Sequence, residues 1–258
     1  MCLIALALRP DRSPRLVLAA NRDEFHDRPT SPLHWWEPDR HILGGRDLRA
    51  GGGWMAVDRH GRVAAVTNVR RMQAPDPDAR SRGELVNGFL SRSLSADAFL
   101  DELAGGADRY AGFNLLLHDA DGLRYASNAD GFTSLRVEPG LHVLSNAQLD
   151  TPWPKARRLR AALRDALDPA GEIDAEALFE ALADRRPAPE AELPDTGVGR
   201  ELERMLSPPF ICSPRYGTRA STLLSLDADG GVRVEERRFD AAGETIEARV
   251  EAFTLAPR

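Results

Sequence analysis

The chain has 258 residues, long enough for a sizeable buried core, with 42% hydrophobic and 29% charged residues as in ordinary globular proteins. Its net charge of −6 offers no basic face for nucleic acid or an anionic membrane. No run approaches the roughly 18 consecutive apolar residues of a membrane helix, and two cysteines make neither a disulfide framework nor a zinc site. A reducing compartment, the cytoplasm, is the expectation.

Residues 1–8, MCLIALAL, are apolar but lack the basic start and small-residue cleavage site of a secretory signal, so they read as a buried strand. Further strands are expected over 15–20, 54–58, 62–68, 113–119, 123–128 and 141–146. Glycine- and aspartate-containing turns between several of these alternating apolar runs signal antiparallel hairpins. Ser81 and Glu84 have capping-box spacing and predict a helix whose Leu85, Val86, Phe89 and Leu90 share one face. Other helices are expected at 96–104, from Pro154 onward, and at 175–184 behind Asp174. Residues 31–54 and 186–199 read as loops. The tail returns to strands over 221–227, 232–239 and 245–255. Strands, helices, strands, helices, strands with few long crossovers predict one α+β domain spanning 1–258, with mostly antiparallel sheets and helices packed outside.

Cys2 is the first residue that carries chemistry. Removal of Met1 would make it the N-terminus, and an α-amino group with a pKa of roughly 7.7–8.0 can accept the thiol proton near neutral pH. The plainer alternative is a small apolar residue packed in the first strand. Next comes the polar cluster Asn21, Arg22, Asp23 and Glu24 at the expected end of the second strand. It reads either as an ion-paired turn or as a guanidinium beside the thiol, which favours thiolate and can grip a carboxylate. Asn68, Asn128 and Asn146 recur at strand ends, where a side-chain amide either forms a turn or donates to an oxyanion. Arg219, within RYGTRAST, is a surface residue or a second anion clamp. Cys212, in the apolar run PFICS, is expected to be buried and slow to react. The histidines match no zinc signature, and neither a metal nor a cofactor is expected.

Eight stretches together resemble the NRDE, or transport-and-Golgi-organisation, family: MCLI at 1–4, LAANRDEFHDRPT at 18–30, GGRDLRAGGGWMAV at 44–57, AAVTNVR at 64–70, SRGELV at 81–86, GFNLLL at 112–117, LSNAQLDTPWPKA at 144–156 and YGTRAST at 216–222. The family looks like the cysteine branch of the N-terminal-nucleophile (Ntn) hydrolases, which includes penicillin V acylase, bile-salt hydrolase and acid ceramidase. That resemblance implies a four-layer α-β-β-α sandwich and cleavage of an amide bond. It makes Cys2 the nucleophile and Arg22 with Asp23 the arginine–aspartate pair of the second strand. In those enzymes that pair is separated by two residues, whereas here it adjoins; Asn21 and Glu24 have the spacing but not the first residue. Asn68 and Asn146 would supply the oxyanion donors and Arg219 the late arginine. Asn21, Glu24, Trp54 and Tyr216 stand as candidate substrate contacts. The ligand implied is small or amphipathic, and a non-catalytic role in binding or trafficking haem, acyl-CoA or lipid is the alternative.

Overall fold

The structure, a computed structural model, describes residues 2–38, 40–71, 78–167 and 172–256. The elements in chain order are β1 (Cys2–Leu8), β2 (Leu16–Phe25), β3 (Thr30–Trp35), β4 (Ile42–Asp47), β5 (Gly53–Asp58), β6 (Val63–Asn68), α1 (Gly83–Leu90), α2 (Ala96–Ala104), β7 (Phe113–Asp119), β8 (Gly122–Ser127), β9 (Thr133–Arg136), β10 (Gly140–Leu144), α3 (Pro154–Ala166), α4 (Ala175–Leu182), α5 (Arg200–Met205), β11 (Tyr216–Leu226), β12 (Gly231–Phe239) and β13 (Thr245–Thr254). They fall into two compact units. One gathers Met1–Asp27, Arg70–Met72 and Pro139–Phe253; the other gathers Arg28–Val69, Gln73–Glu138 and Thr254–Arg258.

The first unit holds a six-stranded sheet in the order β10-β1-β2-β11-β12-β13. β1 pairs antiparallel with β10 and β2, and β2 with β11. Successive side chains of a strand alternate between faces. Leu3, Ala5 and Ala7 of β1 and Val17 and Ala19 of β2 therefore pack with Leu159 and Leu163 of α3 and Leu178, Phe179 and Leu182 of α4. Cys2, Ile4, Leu6 and Leu8 take the opposite face, which is also buried. β1 is thus apolar without alternation because neither of its faces meets water.

The second unit holds a seven-stranded sheet in the order β3-β4-β5-β6-β7-β8-β9. Ala56, Ala64, Val66, Leu115, Leu117 and Ala126 form its helix-facing side and pack with Leu85, Val86 and Phe89 of α1 and Phe99 and Leu100 of α2. Each unit supplies one α layer and one β layer. The fold is α+β with mostly antiparallel sheets, the class expected of the Ntn-hydrolase type.

Several boundaries differ from the sequence reading. β2 does not end at residue 20; it continues through the NRDE cluster to Phe25, because β1 and β11 pair with its backbone on both sides. β11 likewise takes in YGTRAST and begins at Tyr216. The expected loop over 31–54 contains β3 and β4, hidden in the sequence by Pro, Gly, His and Trp. Its glycine run is a packing device. A Cβ on Gly52 would lie 2.5 Å from the backbone of Gly83, and one on Gly53 would lie 2.8 Å from the ring of Trp36. At α1 only half of the capping box forms: Glu84 Oε1 accepts from the Ser81 N–H at 3.3 Å, with no side-chain cap in return. Ser95 and Asp174 do cap α2 and α4.

Candidate functional site

Cys2 opens β1 and is 7% exposed. Its cross-strand partner on β2 is Arg22, so the two side chains share a face. On its other flank β10 runs antiparallel, with Ile4 opposite Leu144. The chain beyond β10 continues past Leu3 and Cys2: Ser145 Oγ donates to the Cys2 carbonyl at 3.4 Å and to Asn146 Oδ1 at 3.2 Å. Asn146 is buried, and its carbonyl accepts from the Arg70 N–H at 2.8 Å. Cys2, Arg22, Ser145, Asn146 and Arg70 are thereby gathered at one end of this sheet.

The NRDE stretch divides by parity. Arg22 and Glu24 lie on the Cys2 face, with the Glu24 carboxylate 3.9 Å from the Arg22 guanidinium. Asn21 and Asp23 lie on the helix face. Asn21 Nδ2 donates to the carbonyls of Leu182 and Pro209 at 2.8 and 3.0 Å, and its Oδ1 accepts from Ser221 Oγ at 2.6 Å. These bonds tie β2 to the end of α4. Asp23 Oδ1 accepts from Thr218 Oγ1 at 2.7 Å, while that hydroxyl also accepts from the Ile211 N–H at 2.9 Å. The Tyr216 hydroxyl donates to the Asp23 carbonyl at 2.9 Å.

Arg219 occupies a bulge in β11, between Thr218 paired with Asp23 and Ala220 paired with Arg22. Its guanidinium donates to the carbonyls of Phe25 and His26 at 2.8 and 3.2 Å. Asn68 and Trp54 belong to the second unit. Asn68 ends β6, opposite Phe113, and Trp54 is buried in β5. Trp36 is in that unit's core with its Nε1 on the Gly44 carbonyl, and Trp35 lies under Arg59 at 4.0 Å. Asn128 binds backbone only, accepting from the Phe113 N–H and donating to the Ala107 and Tyr110 carbonyls.

Three charged residues join the first unit's strand-end cluster without having been singled out from the sequence. Arg70 Nη1 donates to Glu203 Oε2 at 2.6 Å, and its guanidinium lies 4.6 Å from the centre of the Trp153 ring. Glu203 also accepts from the Thr196 N–H and hydroxyl. Lys155 Nζ donates to the Leu206 carbonyl at 3.1 Å. Asp23, Lys155 and Glu203 are each 1% exposed. Burial of so many ionisable groups is costly unless they offset one another. Signals for two of them were present: Arg70 ends the stretch AAVTNVR, and Lys155 stands next to last in LSNAQLDTPWPKA. Lys155 also stands four and eight residues before Leu159 and Leu163, on the core face of α3. Glu203 carried none, because α5 has only six residues and its burial depends on Arg70.

Burial pushes the Cys2 thiol up, and the Asp23 carboxylate adds to that; Arg22 opposes it. Burial likewise raises the Asp23 carboxyl, with Lys155 pulling it back. Lys155 is lowered to about 8, by burial first and by Arg70 second. The Tyr216 phenol is raised well above its ordinary value by burial. Cys212 is exposed rather than buried, with its Sγ near the carbonyls of Ala241 and Ala242. The expected burial of Cys212 is thus not found, and Cys2 is the buried cysteine. PFICS is apolar, but its buried residues are Pro209, Phe210 and Ile211, and Cys212 is exposed.

A sequence model of Transport and Golgi organisation 2 matches residues 1–241. The chain belongs to this family. The human Transport and Golgi organization protein 2 homolog is 34% identical over 275 residues, covering 99% of each chain. The bovine homolog is 34% identical and covers 92% of each. The Transport and Golgi organization protein 2 of Drosophila melanogaster is 31% identical over 45% of each. Among solved structures, a Caenorhabditis elegans ortholog of N-acylethanolamine-hydrolyzing acid amidase superposes with a TM-score of 0.52 at 9% identity, covering 86% of this chain and 92% of that one. A variant of the conjugated bile acid hydrolase from Clostridium perfringens gives 0.54 at 10% identity, covering 98% and 92%. Both are of the Ntn-hydrolase type, and at this identity the likeness establishes the fold. Within the Transport and Golgi organisation 2 family, then, the chain has an Ntn-hydrolase-like fold whose first strand begins at Cys2. No helix among the described residues is long and apolar enough to cross a membrane.

Proposed function

We propose that this protein is an N-terminal-cysteine amide hydrolase, formed by removal of Met1 and acting in the cytoplasm on a small acylated or amphipathic substrate. The observation that carries the reading is the placement of Cys2. It begins a central strand, with Arg22 beside it, Ser145 and Asn146 on the other flank, and buried Asp23, Arg70, Lys155 and Glu203 around that end of the sheet. A thiol that served only as filler would not need so many buried charges near it. An amidase and a conjugated bile acid hydrolase, as the names of the two solved structures have it, support hydrolysis as the class of chemistry. Met1 itself lies outside the described residues.

In this reading the Cys2 thiol gives its proton to its own α-amine, and the thiolate attacks the carbonyl carbon of the substrate amide. Arg22 stabilises the thiolate or binds a substrate carboxylate. Asn146, whose Oδ1 lies 3.2 Å from Ser145 Oγ, offers its side-chain nitrogen to the oxyanion. The C–N bond breaks as the protonated α-amine returns its proton to the leaving nitrogen. Water then hydrolyses the thioester, releasing the acid and restoring the thiol. Glu24, beside Arg22, and Tyr216, whose hydroxyl donates to the Asp23 carbonyl, are the substrate contacts this reading keeps in the first unit. Asn21 ties β2 to the carbonyls of Leu182 and Pro209, and Arg219 holds the carbonyls of Phe25 and His26 at the end of β2.

The test is mass spectrometry of the purified N-terminus followed by incubation with N-acyl amides of graded chain length. A chain beginning at Cys2, hydrolysis, and an acyl adduct on the Cys2 peptide that is absent in Cys2→Ala are expected. A retained Met1 leaves Cys2 without an α-amine and sinks the reading. A second reading is favoured by the transport function in the relatives' names and by the upward push on the Cys2 thiol. It is a binding or trafficking role for haem or an acyl-CoA-like amphiphile at the same site. Saturable binding of such a ligand with no turnover by processed protein would select it.

A further inference from the structure

β13 is the last strand of the six-stranded sheet, ten residues long, and its sequence TIEARVEAFT contains no proline, glycine or lysine. Natural sheets blunt a long edge with proline, lysine or a bulge, because an edge offers its backbone to any strand that arrives. The side chains of β13 alternate in the opposite sense from an ordinary half-buried strand, which turns its apolar face inward. Ile246, Ala248, Val250 and Ala252 share one face and are all exposed, Ile246 to 58% and Val250 to 48%. Glu247, Glu251 and Phe253 share the other face and are half-buried. That charged face is held from within the sheet: Glu247 accepts from Arg238 Nη1 of β12 at 2.8 Å and from Arg249 Nε at 2.7 Å. The reach of the helix layer explains why the apolar face is bare. Arg237 of β12 pairs with Glu176 of α4 at 2.6 Å and lies over the Phe179 ring at 3.8 Å. Arg238 alternates to the other side of the sheet, and Glu247 meets it there. Ile246 and Val250 therefore point to the helix side, one strand farther out than Arg237. An apolar stripe along an unblunted edge marks an interaction surface.

The residue order within β13 says which partner fits. Two copies of one strand related by a two-fold axis run antiparallel, and residues directly opposite each other lie on the same face. With the axis at Ala248, Ile246 of each copy stands opposite Val250 of the other, and Glu247 stands opposite Arg249. Apolar residues then meet apolar ones and the central charges meet their opposites, each pair occurring twice. With the axis at Arg249, that residue opposes itself and Glu247 opposes Glu251, which are like-charge contacts. With the axis at Val250, Ile246 falls opposite Thr254. We propose that β13 is a self-association edge, through which two copies of this chain pair antiparallel about Ala248. The inference goes beyond the hydrolase reading and uses none of the chemistry of Cys2. β13 also begins after residue 241, where the family match ends. A single strand edge is smaller than a standard stable interface, so the association is reversible and depends on concentration.

Sedimentation velocity of the full chain over a concentration series reads the association, and a rise from the mass of one chain to that of two is expected. Ile246→Lys combined with Val250→Lys places ammonium groups at the contact and should weaken the association by about tenfold or more. Both positions are exposed, so the fold of the single chain should tolerate the change. Register is read separately by cysteine scanning in a Cys212→Ser background, where the remaining native thiol, Cys2, is buried. Ala248→Cys meets its own copy within reach of a disulfide, so mild oxidation should give a covalent dimer. Ile246→Cys alone should not, whereas a mixture of Ile246→Cys chains with Val250→Cys chains should. A chain that stays monomeric at every concentration would overturn the proposal. So would a dimer that survives the double lysine variant, or an Ile246→Cys chain that crosslinks as readily as Ala248→Cys. If the double lysine variant does not fold, the cysteine series still decides.

Discussion

Arg62 and Arg70 stand close in sequence, fall in different units, and use their guanidinium groups in opposite ways. Arg62 Nε donates to Asp58 Oδ2 at 2.7 Å; Nη1 reaches the carbonyls of Phe89, Arg92 and Leu94, and Nη2 that of Leu90. It caps the C-terminal end of α1 and leaves no nitrogen idle. Arg70 has one hydrogen-bonded side-chain nitrogen, on Glu203, and the Trp153 ring for a partner. Its Nε and Nη2 have no hydrogen-bond acceptor among the described residues. A satisfied buried charge is architecture. An incompletely satisfied one keeps a structural cost that packing alone does not explain, and such groups concentrate where chemistry or binding occurs.

The largest expected effect tests the structural side of this contrast. Arg62→Met strands the fully buried Asp58 carboxylate and the last carbonyls of α1, so it should cost about 3–5 kcal/mol of unfolding free energy. Denaturant titration would read this, while the Cys2 alkylation rate of the folded fraction stays unchanged. A cost below about 1 kcal/mol would show that saturation does not mark structural importance here.

Next comes the pH dependence of stability at Lys155. Its folded pKa of about 8 lies below the unfolded value of 10.5. Between those values the unfolded chain binds more protons, so stability rises with pH. Compared with Lys155→Met, the wild type should gain up to about 3 kcal/mol between pH 8 and 10.5. Asp23, whose carboxyl burial raises, gives the opposite slope in the acid range above its ordinary value. Parallel stability curves for wild type and Lys155→Met would show that Lys155 does not titrate abnormally.

A smaller stability effect should accompany a larger functional one at Arg70. The double variant Arg70→Met with Glu203→Gln removes both charges and keeps the acceptor for Thr196. Replacing a buried pair in this way is often neutral, so stability should change by no more than about 1 kcal/mol. If the cluster serves Cys2, amide hydrolysis should fall by tenfold or more, roughly 1.4 kcal/mol in barrier. Unchanged turnover would return Arg70 to the architectural class with Arg62.

The mildest test compares the two thiols. In protein that retains Met1, Cys212 should react with iodoacetamide before Cys2, because it is exposed and Cys2 is buried with its thiol pushed up. Removal of Met1 should narrow the gap. Faster labelling at Cys2 in the unprocessed chain would mean that Arg22 outweighs burial.

The sequence by itself determined most of the strands and the four longer helices, because burial on one or two faces imposes periods of 2 and 3.6 that survive in the residue pattern. It also determined the family, through eight ordered stretches, and singled out Cys2 and Arg22. It did not determine β3 and β4, where Pro32, Gly44 and Gly45 obscure strands held by pairing with neighbours. Nor did it settle the role of each NRDE residue. One extra strand length turns a terminal polar cluster into alternating faces, sending Asn21 and Asp23 toward the helices and Arg22 and Glu24 to the side of Cys2. Exposure of Cys212 and burial of Arg70 and Glu203 were decided only by the tertiary structure, whereas the burial of Lys155 follows the helical period of α3. Whether a charge meets water or another charge depends on residues brought from distant parts of the chain, as with Arg70 and Glu203, and no local period records that meeting.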